Sequence, residues 1–256
     1  MLSKNQIKFV NSLKQKKYRE EHNLFVAEGA KIVPELLNSG ITVKQVFATS
    51  EFLRRTKIDS GIERFEIKEA ELERLSSLMT PNEVLALCEI PVYSYDPAAL
   101  KNELTLVLDD IKDPGNMGTI IRIADWFGIG NVVCSLNSVD IFNSKVVQAT
   151  MGSIARINIH YADLDVFIEE QTRLNELSVF GALLEGESIY SMELPAKGLI
   201  VIGNESKGIS DDIQKLITNK ISIPSFSHFK HSSGEAESLN AAVATAVICS
   251  EFRRKS

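Results

Sequence analysis

The sequence is poor in cysteine and tryptophan and has no long hydrophobic run. Its three cysteines, Cys88, Cys134 and Cys249, are scattered, odd in number and free of any CxxC pair. A disulfide framework or a zinc site is therefore not expected. The longest apolar stretch, AAVATAVIC (Ala241–Cys249), is far too short to cross a bilayer and reads as a buried helix, so no membrane partner is expected. The first residues, MLSKNQIKFV, lack the apolar core of a signal peptide, which makes the cytoplasm the expected location. Nucleotide fingerprints are missing as well. GIGNVV (Gly128–Val133) lacks the third glycine of GxGxxG and precedes a strand instead of following one. GNESKGIS (Gly203–Ser210) lacks the GK[ST] ending of a Walker A loop. His228 and His231 have no cysteine or HExxH companion, so no metal is expected.

What is present is an ordinary globular composition, 44% apolar over 256 residues, enough for one large domain or two modest ones. The net charge of −6 argues against general nucleic-acid binding, but the charge is unevenly spread. Residues 1–20 hold Lys4, Lys8, Lys14, Lys16, Lys17 and Arg19 against the single acid Glu20. Such a basic arm is either a local electrostatic footprint for RNA or a solvated helix face.

Patterning divides the chain into two α/β series. In the first, Ile7, Val10 and Leu13 mark a short amphipathic helix. NLFVAEG (Asn23–Gly29), VKQVFAT (Val43–Thr49) and EVLALCEI (Glu83–Ile90) read as strands. AKIVPELLNSG (Ala30–Gly40) and EAELERLSSL (Glu69–Leu78) read as helices between them. Pro91 and the weakly patterned Val92–Leu100 look like a linker. The second series has strands at LTLVLDD (from Leu104), Asn131–Leu136, Arg156–Tyr161, Ser178–Leu184, Gly198–Asn204 and Lys220–Ser225. The runs at 104 and 198 are continuously apolar, as central strands of a parallel sheet covered on both faces should be. Ligands of such sheets sit beyond the carboxyl ends of the strands.

Three strand ends are unusual in composition. DPGNMGTIIR (Asp113–Arg122) tips from strand into helix, with Asn116 as the expected N-cap. Met117, Ile120, Ile121 and Ala124 form its buried stripe, and Arg122 lies off it beside Thr119 and Trp126. That arginine is either a site residue or surface packing over Trp126 or against Asp125. In GNESKGIS, Gly203 permits a close backbone approach or a positive φ. Glu205 stands just past the strand, and Ser210 opens the next helix. The third stretch, from Ile223 to Val247, places Ser238 and Asn240 at the mouth of an alanine-rich helix. Each stretch taken alone fits a capped turn or packed helix better than a site.

In combination and order the three stretches match N-x-G-x-x-x-R (NMGTIIR), G-N-E-x-x-G-[IL]-S (GNESKGIS) and I-P…S-L-N-x-x-x-A (IP…ESLNAAVA). The sequence therefore resembles the SpoU (TrmH-type) RNA ribose methyltransferases of the SPOUT superfamily over about residues 104–252, and more loosely in front, where NLFVAEGAKIV looks like their small substrate-binding domain. The resemblance implies an α/β fold: a parallel-sheet catalytic domain with a C-terminal trefoil knot, preceded by a small α/β substrate-binding domain. The implied boundaries are 1–91 for the RNA substrate-binding domain, 92–102 for a linker and 103–256 for the catalytic domain. It further implies S-adenosylmethionine as cofactor, a homodimer, and a 2′-O-methylated nucleotide in RNA as product. Ribosomal RNA is expected over tRNA, because no long basic extension follows Phe252–Lys255.

Carried over by motif, Gly203, Ile223 and Leu239 contact the cofactor, and Asn204 and Gly208 bind it with them. Arg122 acts at the ribose, with Asn116, Glu205, Ser238 and Asn240 around it. The chemistry moves a methyl from a sulfonium to a ribose hydroxyl, which requires in-line alignment and removal of the hydroxyl proton. Arg122 is then either the base, or a charge that stabilises the alkoxide while another group or water takes the proton. The sequence departs from the family pattern in its long link Ser225–Glu237, where His228, Lys230 and His231 either reach RNA or form a surface excursion. Two other readings stand beside the enzyme. One is a non-catalytic RNA-binding or ribosome-assembly protein that retains the fold. The other, an unrelated nucleotide-using α/β enzyme, is disfavoured by the missing glycine fingerprints.

Overall fold

The computed structural model describes residues 2–93, 99–226 and 238–254, which fall into two compact units. The first unit is Met1–Val92 together with Asp140–Arg156, and the second is Tyr93–Val139 with Ile157–Ser256.

In the first unit the chain runs α1 (Lys4–Ser12), α2 (Lys16–His22), β1 (Leu24–Glu28), α3 (Ile32–Leu37), β2 (Val43–Ala48), α4 (Ser50–Arg55), β3 (Glu63–Glu66), α5 (Glu69–Leu75) and β4 (Val84–Glu89). The strands form one sheet in the order β1-β4-β2-β3. β4 is antiparallel to both of its neighbours, and β3 is parallel to β2. A core of Val10, Leu13, Val26, Phe47, Leu75 and Leu85 lies under α1 and α5. Three elements here carry little sequence signal. β3 reads ERFE, an edge strand in which Phe65 alone turns inward, to stack on Phe47 at 4.7 Å. α2 reads KKYREEH and buries only Arg19. α4 has six residues and buries only Phe52.

The second unit holds β5 (Leu104–Leu108), α6 (Pro114–Trp126), β6 (Asn131–Ser135), β7 (Asn158–Ala162), α8 (Leu164–Asn175), β8 (Val179–Ser188), β9 (Gly198–Ile202), α9 (Asp211–Leu216), β10 (Asn219–Ser222) and α10 (Ala241–Arg253). The helix between β6 and β7, α7 (Ser144–Thr150), belongs to the first unit, where it packs on β1. Every strand pair in the six-stranded sheet is parallel, in the order β10-β8-β9-β5-β6-β7. β5 and β9 sit side by side at the centre and are buried along their whole length, as their continuous apolar runs require. The chain enters at β5, builds outward through β6 and β7, and returns to the other side of β5. The β5/β9 boundary is therefore the topological switch point, where loops diverge from neighbouring strand ends and leave a crevice.

α6 and α10 pack together and run in the same direction. Asn240, the N-cap of α10, reaches Asn116 in the first turn of α6 at 2.9 Å. At the other end Arg253 Nε donates to Phe127 O at 2.9 Å and Nη2 to Gly128 O at 3.0 Å. Both helices thus point their N-termini, the positive ends of their dipoles, towards the switch point.

Candidate active site

α6 begins one turn earlier than its composition indicates. Asp113, not Asn116, is the N-cap, and its carboxylate accepts from Asn116 N at 2.8 Å, with Pro114 at the first helical position. This corrects the expectation that Asn116 caps the helix. It also releases the Asn116 side chain, whose Nδ2 donates to Glu205 Oε1 at 2.6 Å while its Oδ1 accepts from Asn240 Nδ2. Asn240 is itself committed on its oxygen, which accepts from Ala242 N at 3.0 Å and Val243 N at 3.3 Å to cap α10. The chain Asn240–Asn116–Glu205 thus joins residues from all three motif stretches. Its polarity is fixed at each amide, because the cap and the carboxylate leave each only one useful orientation.

Glu205 is held by a loop that supports itself. Asn204 and Gly208 exchange backbone hydrogen bonds at 2.9 and 3.0 Å. Asn204 Oδ1 accepts from Ser206 N and Lys207 N, and its Nδ2 donates to Asp110 O at 2.8 Å. The Asn204 side chain is thereby committed to scaffolding. Gly203 has no positive φ, and its closest approach is internal. A Cβ there would stand 2.3 Å from Gly208 C and Ile209 N. Gly208 supplies the left-handed turn at φ +71° that closes the loop. Buried Asp109 at the end of β5 accepts from Ser210 N at 2.7 Å, tying the loop to the neighbouring strand.

Arg122 is exposed on the face of α6 that carries Thr119 and Trp126, the latter 84% exposed. Its guanidinium has no hydrogen bond, ion pair or ring contact among the described residues, so neither Asp125 nor Trp126 holds it. Neither it nor exposed Ser238 hydrogen-bonds to the Asn240–Asn116–Glu205 chain among the described residues. Ile223 lies just past β10, half-buried, and Leu239 is 49% exposed. The backbone groups of both have no hydrogen-bond partner among the described residues. Apolar side chains flanking free backbone donors and acceptors are what an adenine ring and its polar edge take, so these positions fit S-adenosylmethionine. His228, Lys230 and His231 lie outside the described residues. Among those described, no three His, Cys, Asp or Glu side chains are grouped to hold a metal, and no helix is long and apolar enough to cross a membrane.

The basic arm resolves into two kinds of residue. Lys4, Lys8, Lys14, Lys16 and Lys17 are exposed. Arg19 is 3% exposed, and its Nη1 donates to Leu13 O at 2.9 Å while Nε and Nη2 engage Asp140. That pairing corrects the expectation that Arg19 faces RNA, since a guanidinium buried against a carboxylate has no free donor face. No sequence signal separates Arg19 from its neighbours; its partner lies 121 residues away.

Residues 103–250 match the SpoU rRNA methylase family, and residues 4–86 match the MRM3-like substrate-binding domain. A 23S rRNA (guanosine(2553)-2′-O)-methyltransferase, RlmP of Bacillus subtilis, is 29% identical over 254 residues, covering 98% of this chain and 97% of that protein. Among solved structures, a TrmH-family RNA methyltransferase described as putative, from Porphyromonas gingivalis, superposes with a TM-score of 0.88 at 38% identity, covering all of both chains. An AdoMet-bound rRNA methyltransferase from Sinorhizobium meliloti superposes with 0.84 at 29% identity, covering 99% of this chain and 96% of that one. The fold is that of an RNA methyltransferase. The chain belongs to the SpoU rRNA methylase family.

Proposed function

We propose that the protein transfers a methyl group from S-adenosylmethionine to a ribose 2′-hydroxyl of ribosomal RNA, with Asn116, Arg122, Glu205, Ser238 and Asn240 as its catalytic set. The observation that carries this reading is the Asn240–Asn116–Glu205 hydrogen-bond chain at the β5/β9 switch point. A binding protein that had lost catalysis would have no need to fix a half-buried carboxylate by an amide across 89 residues of sequence.

Bound S-adenosylmethionine supplies an electrophilic methyl, so the carbon–sulfur bond breaks as the carbon–oxygen bond forms. Ile223 and Leu239 would hold the cofactor with apolar surface and free backbone groups, while Gly203, Asn204 and Gly208 would shape the loop of its site. Arg122 stabilises the developing alkoxide and the neighbouring phosphate with its guanidinium. Asn116 holds Glu205 by one oxygen. The other, Oε2, has no partner among the described residues and takes the hydroxyl proton. The N-termini of α6 and α10 add positive potential where the RNA backbone arrives.

In this reading residues 1–91 bind RNA through Lys4, Lys8, Lys14, Lys16 and Lys17. Residues 92–102 are the linker, and 103–256 form the catalytic domain with its trefoil knot. The protein acts in the cytoplasm as a homodimer. Trp126 at 84% and Val243 at 50% exposure lie on the paired helices α6 and α10 and supply the apolar face a second copy covers. Arg122 shares the Trp126 side of α6 and comes to that interface with it.

The test is methyl transfer from labelled S-adenosylmethionine to 23S rRNA by wild type, Arg122→Ala and Glu205→Gln. Wild type labels one ribose. Arg122→Ala loses most turnover while binding the cofactor normally. Glu205→Gln keeps the bond to Asn116 but cannot take a proton, and loses about 10²-fold or more. Absence of labelling by wild type, with no S-adenosylmethionine bound in titration calorimetry, would return the protein to the class of assembly factors.

A further inference from the structure

A pocket lies wholly within the first unit, between the end of β1, the loop after α5 and helix α7. Its volume is about 290 Å³, the low end for small-ligand sites and the scale of a single nucleobase with part of its sugar. Val26 and Leu78 give it an apolar wall. Five polar residues line it: Glu28 and four others, Ser77, Ser144, Lys145 and Gln148. None of these four side chains has a hydrogen bond or ion pair among the described residues. Ser77 and Lys145 are exposed and Ser144 and Gln148 half-buried, so all four are open to a ligand that enters the cavity.

The surrounding fold holds these groups in place without using them. Glu28, 5% exposed, accepts from Ser77 N at 3.0 Å and from the Ser76 hydroxyl, which pins the loop. Lys145 contributes its backbone N–H to the Asn143 cap of α7, so its ammonium is free. Lys14 of the basic arm donates Nζ to Ser76 O at 3.1 Å, so the positive segment is anchored on the loop that lines the pocket.

We propose that this pocket receives one unpaired nucleotide of the RNA substrate. The base stacks on the Val26–Leu78 wall and is read by Ser77, Ser144 and Gln148, and its phosphate pairs with Lys145. RNA is recognised by sequence mainly through unstacked bases splayed into such pockets. Lys145 in the lining, with the basic arm anchored through Lys14 on Ser76 O, gives the RNA backbone positive charge to follow. The proposal rests on the RNA-methyltransferase reading for its substrate class, and a binding readout separates the two.

The test measures dissociation constants for protein-free 23S rRNA at several salt concentrations. Lys145→Ala with Gln148→Ala removes an ion pair and a base contact. It raises the dissociation constant about tenfold or more and lowers the salt slope by about one. Ala149→Leu fills the pocket without touching charge; it raises the constant and leaves the salt slope as it was. Lys57→Ala, an exposed lysine outside the pocket, changes the constant less than about threefold. Cooperative thermal melts confirm that each variant is folded. Pocket variants that bind within twofold of wild type overturn the proposal, whatever the methyl-transfer assay shows. Wild type that binds through the pocket but transfers no methyl overturns the catalytic reading alone. Loss of binding to intact large ribosomal subunits, with none to protein-free rRNA, overturns it in favour of a protein partner.

Discussion

Asn116 Nδ2 stands 2.6 Å from Glu205 Oε1, joining the first turn of α6 to the loop after β9. The two residues meet because β5 and β9 are neighbouring parallel strands whose chains leave the sheet at the same end. Asn116→Asp preserves shape and turns this donor into a second carboxylate facing the first. Methyl transfer is expected to fall about 10²-fold or more, as for other preorganised polar groups at reaction centres. Stability should also fall, because two half-buried carboxylates then face each other, although the Asp113 cap of the helix is untouched. Radiometric turnover beside a thermal melt checks this, and near-wild-type turnover would remove Asn116 from the site.

The pair also marks where the sequence stops being legible. β5 and β9 are evident from their unbroken apolar runs, and the three polar stretches are evident as strand ends. Which polar side chain caps a helix and which is left for chemistry is not, because Asp113 and Asn116 are both good caps three residues apart. The structure chooses Asp113, since Pro114 is suited to the first helical turn. The same limit hides Arg19 among lysines of equal charge, β3 behind its charged edge, and the membership of Asp140–Arg156 in the first unit. Each depends on a partner distant in sequence.

Arg19 and the exposed lysines should therefore respond to substitution in opposite ways. Arg19→Ala leaves Asp140, 17% exposed, without its cation, and is expected to cost about 3 kcal/mol. Arg19→Met with Asp140→Leu should recover much of that loss, because no unpaired charge then remains. Lys8→Ala and Lys17→Ala should leave the unfolding midpoint unchanged and each lower the salt slope of RNA binding by about one. Urea titrations and salt-dependent binding on the same set separate the roles. A stable Arg19→Ala that lowers the salt slope would restore it to the RNA face.

Gly203 and Gly208 should differ in the cost of a methyl group. At Gly203 the new Cβ meets backbone atoms of Gly208 and Ile209 at 2.3 to 2.5 Å, and backbone cannot step aside as a side chain can. Gly203→Ala is expected to lose about 1–3 kcal/mol and to open the Asn204–Gly208 pairing, displacing Glu205. At Gly208 nothing lies within 4 Å, and the cost is only that of a left-handed alanine, about 1 kcal/mol. Equal destabilisation by the two variants in chemical denaturation would contradict this account.

The three buried cysteines make stability fall at alkaline pH. All are buried and free, and burial pushes the Cys134 and Cys249 thiols up to about 12 and raises Cys88 further. In the unfolded chain they ionise near their ordinary value of about 8.5. Folded-state values above unfolded ones mean stability is full below about pH 8 and is lost as pH rises towards 12. Over that window the slope approaches 1.4 kcal/mol per pH unit for each thiol, about 4 for the three together. Urea midpoints measured from pH 7 to 10.5 should be flat and then fall, and Cys134→Ala with Cys249→Ala should flatten the fall. Native protein at pH 8 should resist a thiol-specific reagent until urea unfolds it; rapid labelling of the native state would show that the thiols are not sealed in the core.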